Sequence, residues 1–110
     1  MDDTPEKERS EIPDPTPQVL DGVRYEAVPW GKARGLGQNG GYIAAYAAAS
    51  GRELWLLKVY DVVSDGERED DSQDLFIESL EPSGAARRRV TDERGGIYLV
   101  DLAQRVAVGR

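Results

Sequence analysis

The chain has 110 residues, of which 39% are hydrophobic and 32% charged, with no Cys, no His and a formal net charge of −7. That length allows one small domain with a thin core. The absence of Cys excludes disulfides and thiolate metal sites, and the absence of His removes the commonest general base near pH 7. We therefore expect a non-catalytic protein without a metal or cofactor. No signal peptide or membrane-spanning apolar run is visible, which predicts a cytoplasmic protein.

The negative charge is concentrated in two segments. Residues 1–21 contain seven acids and two bases, and residues 65–74 contain six acids and one base, so each segment has a net charge of −5. The remaining residues have a net charge of +3. The acidity therefore belongs to these two segments, and the rest of the chain is mildly basic.

The first segment combines charge with proline. Pro5, Pro13, Pro15 and Pro17 block helix formation, and the charges oppose collapse. We predict a disordered, acidic, Pro-rich tail over 1–21 and a single small β domain over 22–110.

The domain begins with a strand whose apolar residues alternate, from Val23 to Val28, and Pro29 ends it. Residues 31–41 are rich in glycine and predict a loop. Residues 42–49 are ambiguous, because their alanines favour helix while Tyr42, Ala44, Tyr46 and Ala48 alternate. We favour a hairpin of 42–49 with a core strand over 53–63, and keep one short helix at 42–49 as the alternative.

The second half of the chain continues the β pattern. An acidic loop over 64–74 is followed by predicted strands at 75–80, 87–91, 97–101 and 105–108, which short turns separate. This spacing predicts an all-β, mostly antiparallel fold, in which a small meander forms a sandwich or an open barrel.

The turn Ser50-Gly51-Arg52-Glu53-Leu54-Trp55 resembles one repeat of the quinoprotein-type β-propellers, and the likeness extends from Gly41 to Trp55. Ala47 departs from that pattern, where Asp is usual, and residues 96–102 resemble the start of a second, poorer copy. A propeller needs at least about four blades, so this chain is too short for one. The resemblance implies a β-hairpin and no quinone cofactor. The stretch from Trp30 to Tyr60 also resembles small bacterial proteins, and that resemblance supplies no activity to expect of this chain.

The glycine-rich loop carries the first group of candidate site residues. Its run over 35–40 fits the dinucleotide-binding pattern G-x-G-x-x-G, and Asp61 lies near the spacing of a ribose-binding acid. The context opposes that function, since a hairpin rather than a helix is predicted next. A looser site for an anion or a partner remains, and its candidate residues are Trp30, Lys32, Arg34, Gln38 and Asn39.

The acidic loop carries the second group. Acids alternate along it, but Asp70 occupies the position where a calcium-binding EF-hand loop needs glycine. We therefore interpret the loop as solvated, with a surface that could face a basic partner. Its candidate residues are Asp65, Glu67, Glu69, Asp70 and Asp71.

Two further patterns give weaker indications. The run of three arginines over 87–89 is too small to predict nucleic-acid binding in an acidic chain, and on a strand its central side chain points away from the other two. Catalysis would need Lys32 or Lys58 with a carboxylate, or the pair Glu78 and Asp101, and no spacing brings these groups together.

Three hypotheses for function follow. The first is a non-catalytic binding or accessory protein that acts through a protein partner. The second is a small acidic inhibitor or immunity-type protein that masks a basic site, for example on a nuclease. The third is a binder of small anionic ligands through the 30–39 loop. A homodimer is also expected, because a thin core with an open β edge invites pairing.

Overall fold

A computed structural model describes residues 12–62, 74–84 and 86–109. Within these residues the chain forms eight strands and one turn of 3₁₀ helix, Gly31–Arg34. The strands are β1 Gln18–Leu20, β2 Val23–Val28, β3 Tyr42–Ala47, β4 Glu53–Lys58, β5 Ile77–Pro82, β6 Arg87–Asp92, β7 Ile97–Asp101 and β8 Val106–Gly109.

The strands form two four-stranded sheets. The first sheet has the order β1-β2-β3-β4 and the second has the order β5-β6-β7-β8. Every pairing is antiparallel and joins strands adjacent in the chain, so each sheet is a simple meander. The prediction of an all-β, mostly antiparallel fold is confirmed.

One hydrophobic core lies between the sheets. Ile43 of the first sheet and Val90 and Val100 of the second are fully buried in it. Trp55 packs beside them, with its ring 5.8 Å from that of Tyr25. Because alternate residues of a strand point to opposite faces, each inner strand contributes every second side chain to this core.

The ambiguous segment 42–49 is a strand, and β3 pairs with β4 in the predicted hairpin. Its alanines are explained by burial on both faces. Ala45 faces the core between the sheets, whereas Ala44 lies on the outer face of the first sheet, and both are completely buried. Tertiary packing therefore overrides the helix propensity of alanine.

Two predicted boundaries are wrong by more than two residues. Residues 18–20, assigned to the tail, form β1 and pair with β2; Pro13, Pro15 and Pro17 line a cleft that includes Ile77. The core strand predicted over 53–63 ends at Lys58, where the chain leaves the ladder while Val59 and Tyr60 stay buried. Both errors concern tertiary contacts that local composition does not reveal. Residues 1–11 of the predicted tail lie outside the described residues.

The outer faces of the two sheets differ. A long connection between β2 and β3 places Leu36 over the outer face of the first sheet, against Val28 and Tyr42. The corresponding connection in the second sheet, between β6 and β7, is a tight turn over residues 93–96. This turn is too short to fold back over the second sheet.

Candidate protein-interaction surface

The side-chain amide of Gln38 joins the β2–β3 loop to the chain after β4. Its Nε2 donates to the carbonyl oxygens of Gly40 and Tyr60, both at 2.9 Å, and its Oε1 accepts from the backbone N–H of Val62 at 2.9 Å. Three of the hydrogen bonds that an amide can make are therefore internal. The polar group of Gln38 is committed to the fold.

Asn39 and Gly40 also have structural roles. Asn39 Oδ1 accepts from the backbone N–H of Lys32 at 3.0 Å, and its Nδ2 donates to Asp74 at 3.2 Å. Gly40 has a φ of 81°, and a Cβ there would overlap the carbonyl oxygen of Leu75. Glycine is required here because φ is positive and the carbonyl of Leu75 approaches closely. The presence of this glycine is therefore explained without a bound phosphate.

The remaining loop candidates lie at the surface. Arg34 forms an ion pair with Glu53 at 2.6 Å, and Lys32 is exposed. Trp30 is 39% exposed and meets Phe76 edge-on, with ring centroids 5.2 Å apart. The G-x-G-x-x-G run leads into β3 rather than into a helix, so the geometry of a dinucleotide site is not formed.

Among the described residues, the other predicted groups form no enclosed site. Lys58 does meet a carboxylate, but its ion pair with Asp61 at 2.6 Å is exposed. The acidic candidates Asp65, Glu67, Glu69, Asp70 and Asp71 lie outside the described residues. Glu78 and Asp101 lie toward opposite ends of the second sheet, because Asp101 pairs with the first residue of β6 and Glu78 lies beside its last residues. Within the described ranges, no group of three acidic side chains could hold a metal ion.

The three arginines alternate as predicted. Arg88 is buried between the sheets, while Arg87 and Arg89 are exposed. Arg89 pairs with Glu81 across β5 and β6. Arg88 Nη1 donates to the carbonyl oxygen of Arg87 at 2.8 Å, its guanidinium lies 5.9 Å from the ring centroid of Tyr25, and its buried Nε has no hydrogen-bond partner. These residues therefore form no continuous basic surface.

An exposed hydrophobic surface on the second sheet is the feature that sequence reasoning missed. The outer face of this sheet is charged beside β5 and β6 but hydrophobic along β7 and β8. Three of its side chains are among the most exposed large hydrophobic groups, at 38%, 46% and 61% for Ile97, Val106 and Val108. We call it the β7–β8 patch; it consists of Ile97, Leu99, Val106 and Val108.

Strand register explains why these residues are adjacent. Leu99 pairs with Val108, and Asp101 pairs with Val106; paired residues of antiparallel strands point to the same face. The alternation over 97–101 and 105–108 was visible in the sequence. It could not tell which of the two alternating sets faces the core.

Comparisons with known proteins assign no family. No protein-family model matches this chain, and no curated protein matches it significantly. Among the described residues, no helix is long and apolar enough to cross a membrane.

Proposed function

We propose that this chain is a non-catalytic protein-binding module, and that its binding surface is the β7–β8 patch. The observation that carries the proposal is the exposure of Ile97, Val106 and Val108 together on the outer face of the second sheet. Exposed hydrophobic side chains that cluster on one face are typical of protein interaction sites. The tight β6–β7 turn leaves this surface available to a partner.

The charged half of the same face supports recognition of a protein. Arg89 and Glu81 pair beside Leu99, and Arg87 and Asp101 face each other in the next row. An apolar centre beside charges of both signs resembles the core and rim of a protein interface. A partner with a small apolar surface bordered by charges would fit it.

The loop over residues 30–39 is a weaker candidate. Gln38, Asn39 and Arg34 already bind within the chain. A small anion would have to replace those contacts, and the free energy of each would be lost on binding. The patch requires no such exchange.

A photocrosslinking experiment tests the proposal. A photoreactive amino acid at Ile97 should crosslink to a discrete protein in cells of the source organism. The same group at Val19, which is 62% exposed on β1, is the matched control and should give no such product. Equal products from both positions, or none from Ile97, would contradict the proposal.

A further inference from the structure

The four sheet edges are protected to different degrees. Natural proteins block edge strands with short length, charges, bulges or proline, because an open edge offers unpaired N–H and C=O groups to another strand. In this fold the edge strands are β1 and β4 of the first sheet and β5 and β8 of the second.

Three of the edges carry such protection. β1 has only three residues and directly follows Pro17. β4 bulges at Leu54 and ends in Lys58, and β5 bulges at Glu78 and ends in Pro82. Bulges interrupt the ladder that an added strand would need.

The edge of β8 is one residue longer than that of β1 and lacks the other devices. Its residues are Val106, Ala107, Val108 and Gly109, without a charge, a proline or a bulge. Among the described residues, β8 pairs with β7 alone. It is therefore the edge best suited to accept another strand.

We propose that β8 pairs with β8 of a second copy, antiparallel and centred on Ala107, which joins the two second sheets into one sheet of eight strands. In this register Ala107 lies opposite Ala107, and Val106 lies opposite Val108 of the second copy. β8 itself carries no charge, so like charges, which would be destabilising, do not face each other across this pairing.

This register also extends an existing surface. The valines of both copies meet on the outer face and merge the two β7–β8 patches into one surface across the two-fold axis. Self-complementarity of the sequence thus favours a second copy over an unrelated strand. The pairing does not require that the patch bind another protein, so this inference stands apart from the proposed function.

Disulfide trapping tests the register. The chain has no cysteine, so a single introduced cysteine can link only two copies. Directly opposed residues have Cβ atoms about 4.5–5.5 Å apart, within reach of a disulfide after small adjustments. Under mild oxidation, A107C should form a covalent dimer at least about tenfold faster than V19C, because pairing raises the local thiol concentration. V108C, which lies opposite Val106, should crosslink more slowly than A107C.

Mass measurements distinguish pairing through the β8 edge from packing through the outer face of the second sheet. Wild type should show a concentration-dependent mass above 12.1 kDa, with a dissociation constant on the order of 10 µM for so small an interface. V106K/V108K should remain monomeric while it keeps its β circular dichroism spectrum. V19K should leave association unchanged. I97K places a charge on the same face as V106K/V108K but away from the β8 edge, and it should also leave association unchanged.

The opposite results would overturn the inference. Loss of the dimer in I97K would indicate packing through the face instead of pairing through the edge. Wild type that stays at 12.1 kDa up to about 500 µM, or equal crosslinking rates for A107C and V19C, would exclude β8 pairing. The photocrosslink at Ile97 can succeed or fail whatever these results are.

Discussion

At the scale of single residues, Gln38 shows that a side chain predicted to bind a ligand can instead stabilise the fold. It joins the β2–β3 loop to the segment after β4 through three hydrogen bonds. Each such bond contributes about 1 kcal/mol, and removal of a shared partner leaves buried groups unpaired.

Replacement of this amide should destabilise the protein measurably. We expect Q38A to lower the free energy of unfolding by about 2–3 kcal/mol, because three internal hydrogen bonds are lost. K32A changes an exposed side chain of the same loop and should stay within about 0.5 kcal/mol of wild type. Urea unfolding followed by Trp fluorescence measures both. Equal stability of the two variants would show that the Gln38 contacts contribute little.

Arg88 should have the opposite effect. It is buried without a hydrogen bond at Nε, and replacement of a buried charge by an apolar group of similar size is often neutral or stabilising. We expect R88M to raise the free energy of unfolding by about 1 kcal/mol. R89M, which loses an exposed ion pair with Glu81, should change it by less than about 1 kcal/mol. A large loss of stability in R88M would show that Arg88 supports the fold through contacts with Tyr25 and Arg87.

At the scale of elements, the β6–β7 turn depends on one buried carboxylate. Asp92 accepts hydrogen bonds from the backbone N–H groups of Arg94 at 2.8 Å and Gly96 at 2.9 Å, and from the hydroxyl of Tyr98 at 2.7 Å. The turn therefore owes its tight form to a side chain that belongs to β6.

Removal of this carboxylate should loosen the turn. We expect D92A to lower the free energy of unfolding by about 3 kcal/mol, since two backbone donors and one hydroxyl lose a charged acceptor. Y98F removes only the hydroxyl contact and should lower the free energy of unfolding by about 1 kcal/mol. Thermal unfolding compares the two variants, and a D92A cost no larger than that of Y98F would contradict a role for Asp92 in holding the turn.

At the scale of the whole molecule, a pair of tyrosines joins the two halves of the chain. Tyr60, which follows β4, stacks on Tyr98 of β7 with ring centroids 4.7 Å apart. Burial raises the pKa of both hydroxyls; for Tyr98 the hydrogen bond to Asp92 adds to it, and its pKa rises to about 12.

This pair predicts unfolding at alkaline pH. In the unfolded chain tyrosine has a pKa near 10, so the unfolded state loses protons at a lower pH than the folded state. The stabilisation that comes from the raised pKa of Tyr98 is fully present below about pH 10 and is lost as pH rises through about 12. Urea unfolding at several pH values should show this decline, with phenolate absorbance rising as the protein unfolds. Y98F should weaken the decline, and an unchanged pH dependence would contradict the assignment.

The sequence by itself determined the β class, the hairpin and most strand positions, because alternation and turn residues act over a few neighbours. Residues 23–28 and 97–101 illustrate this, since each is a strand as predicted. It could not determine that residues 18–20 pair with β2, because short strands gain their stability from a neighbour.

The tertiary structure alone decided what the polar and apolar side chains face. It assigned Gln38 and Asn39 to internal hydrogen bonds, and it left one alternating set of β7 and β8 outside the core. The physical reason is that period-two alternation marks two faces of a strand but does not say which one is covered. The packing of the second sheet against the first shows which alternating set is buried. The β6–β7 turn is too short to cover the other set, which therefore forms the β7–β8 patch.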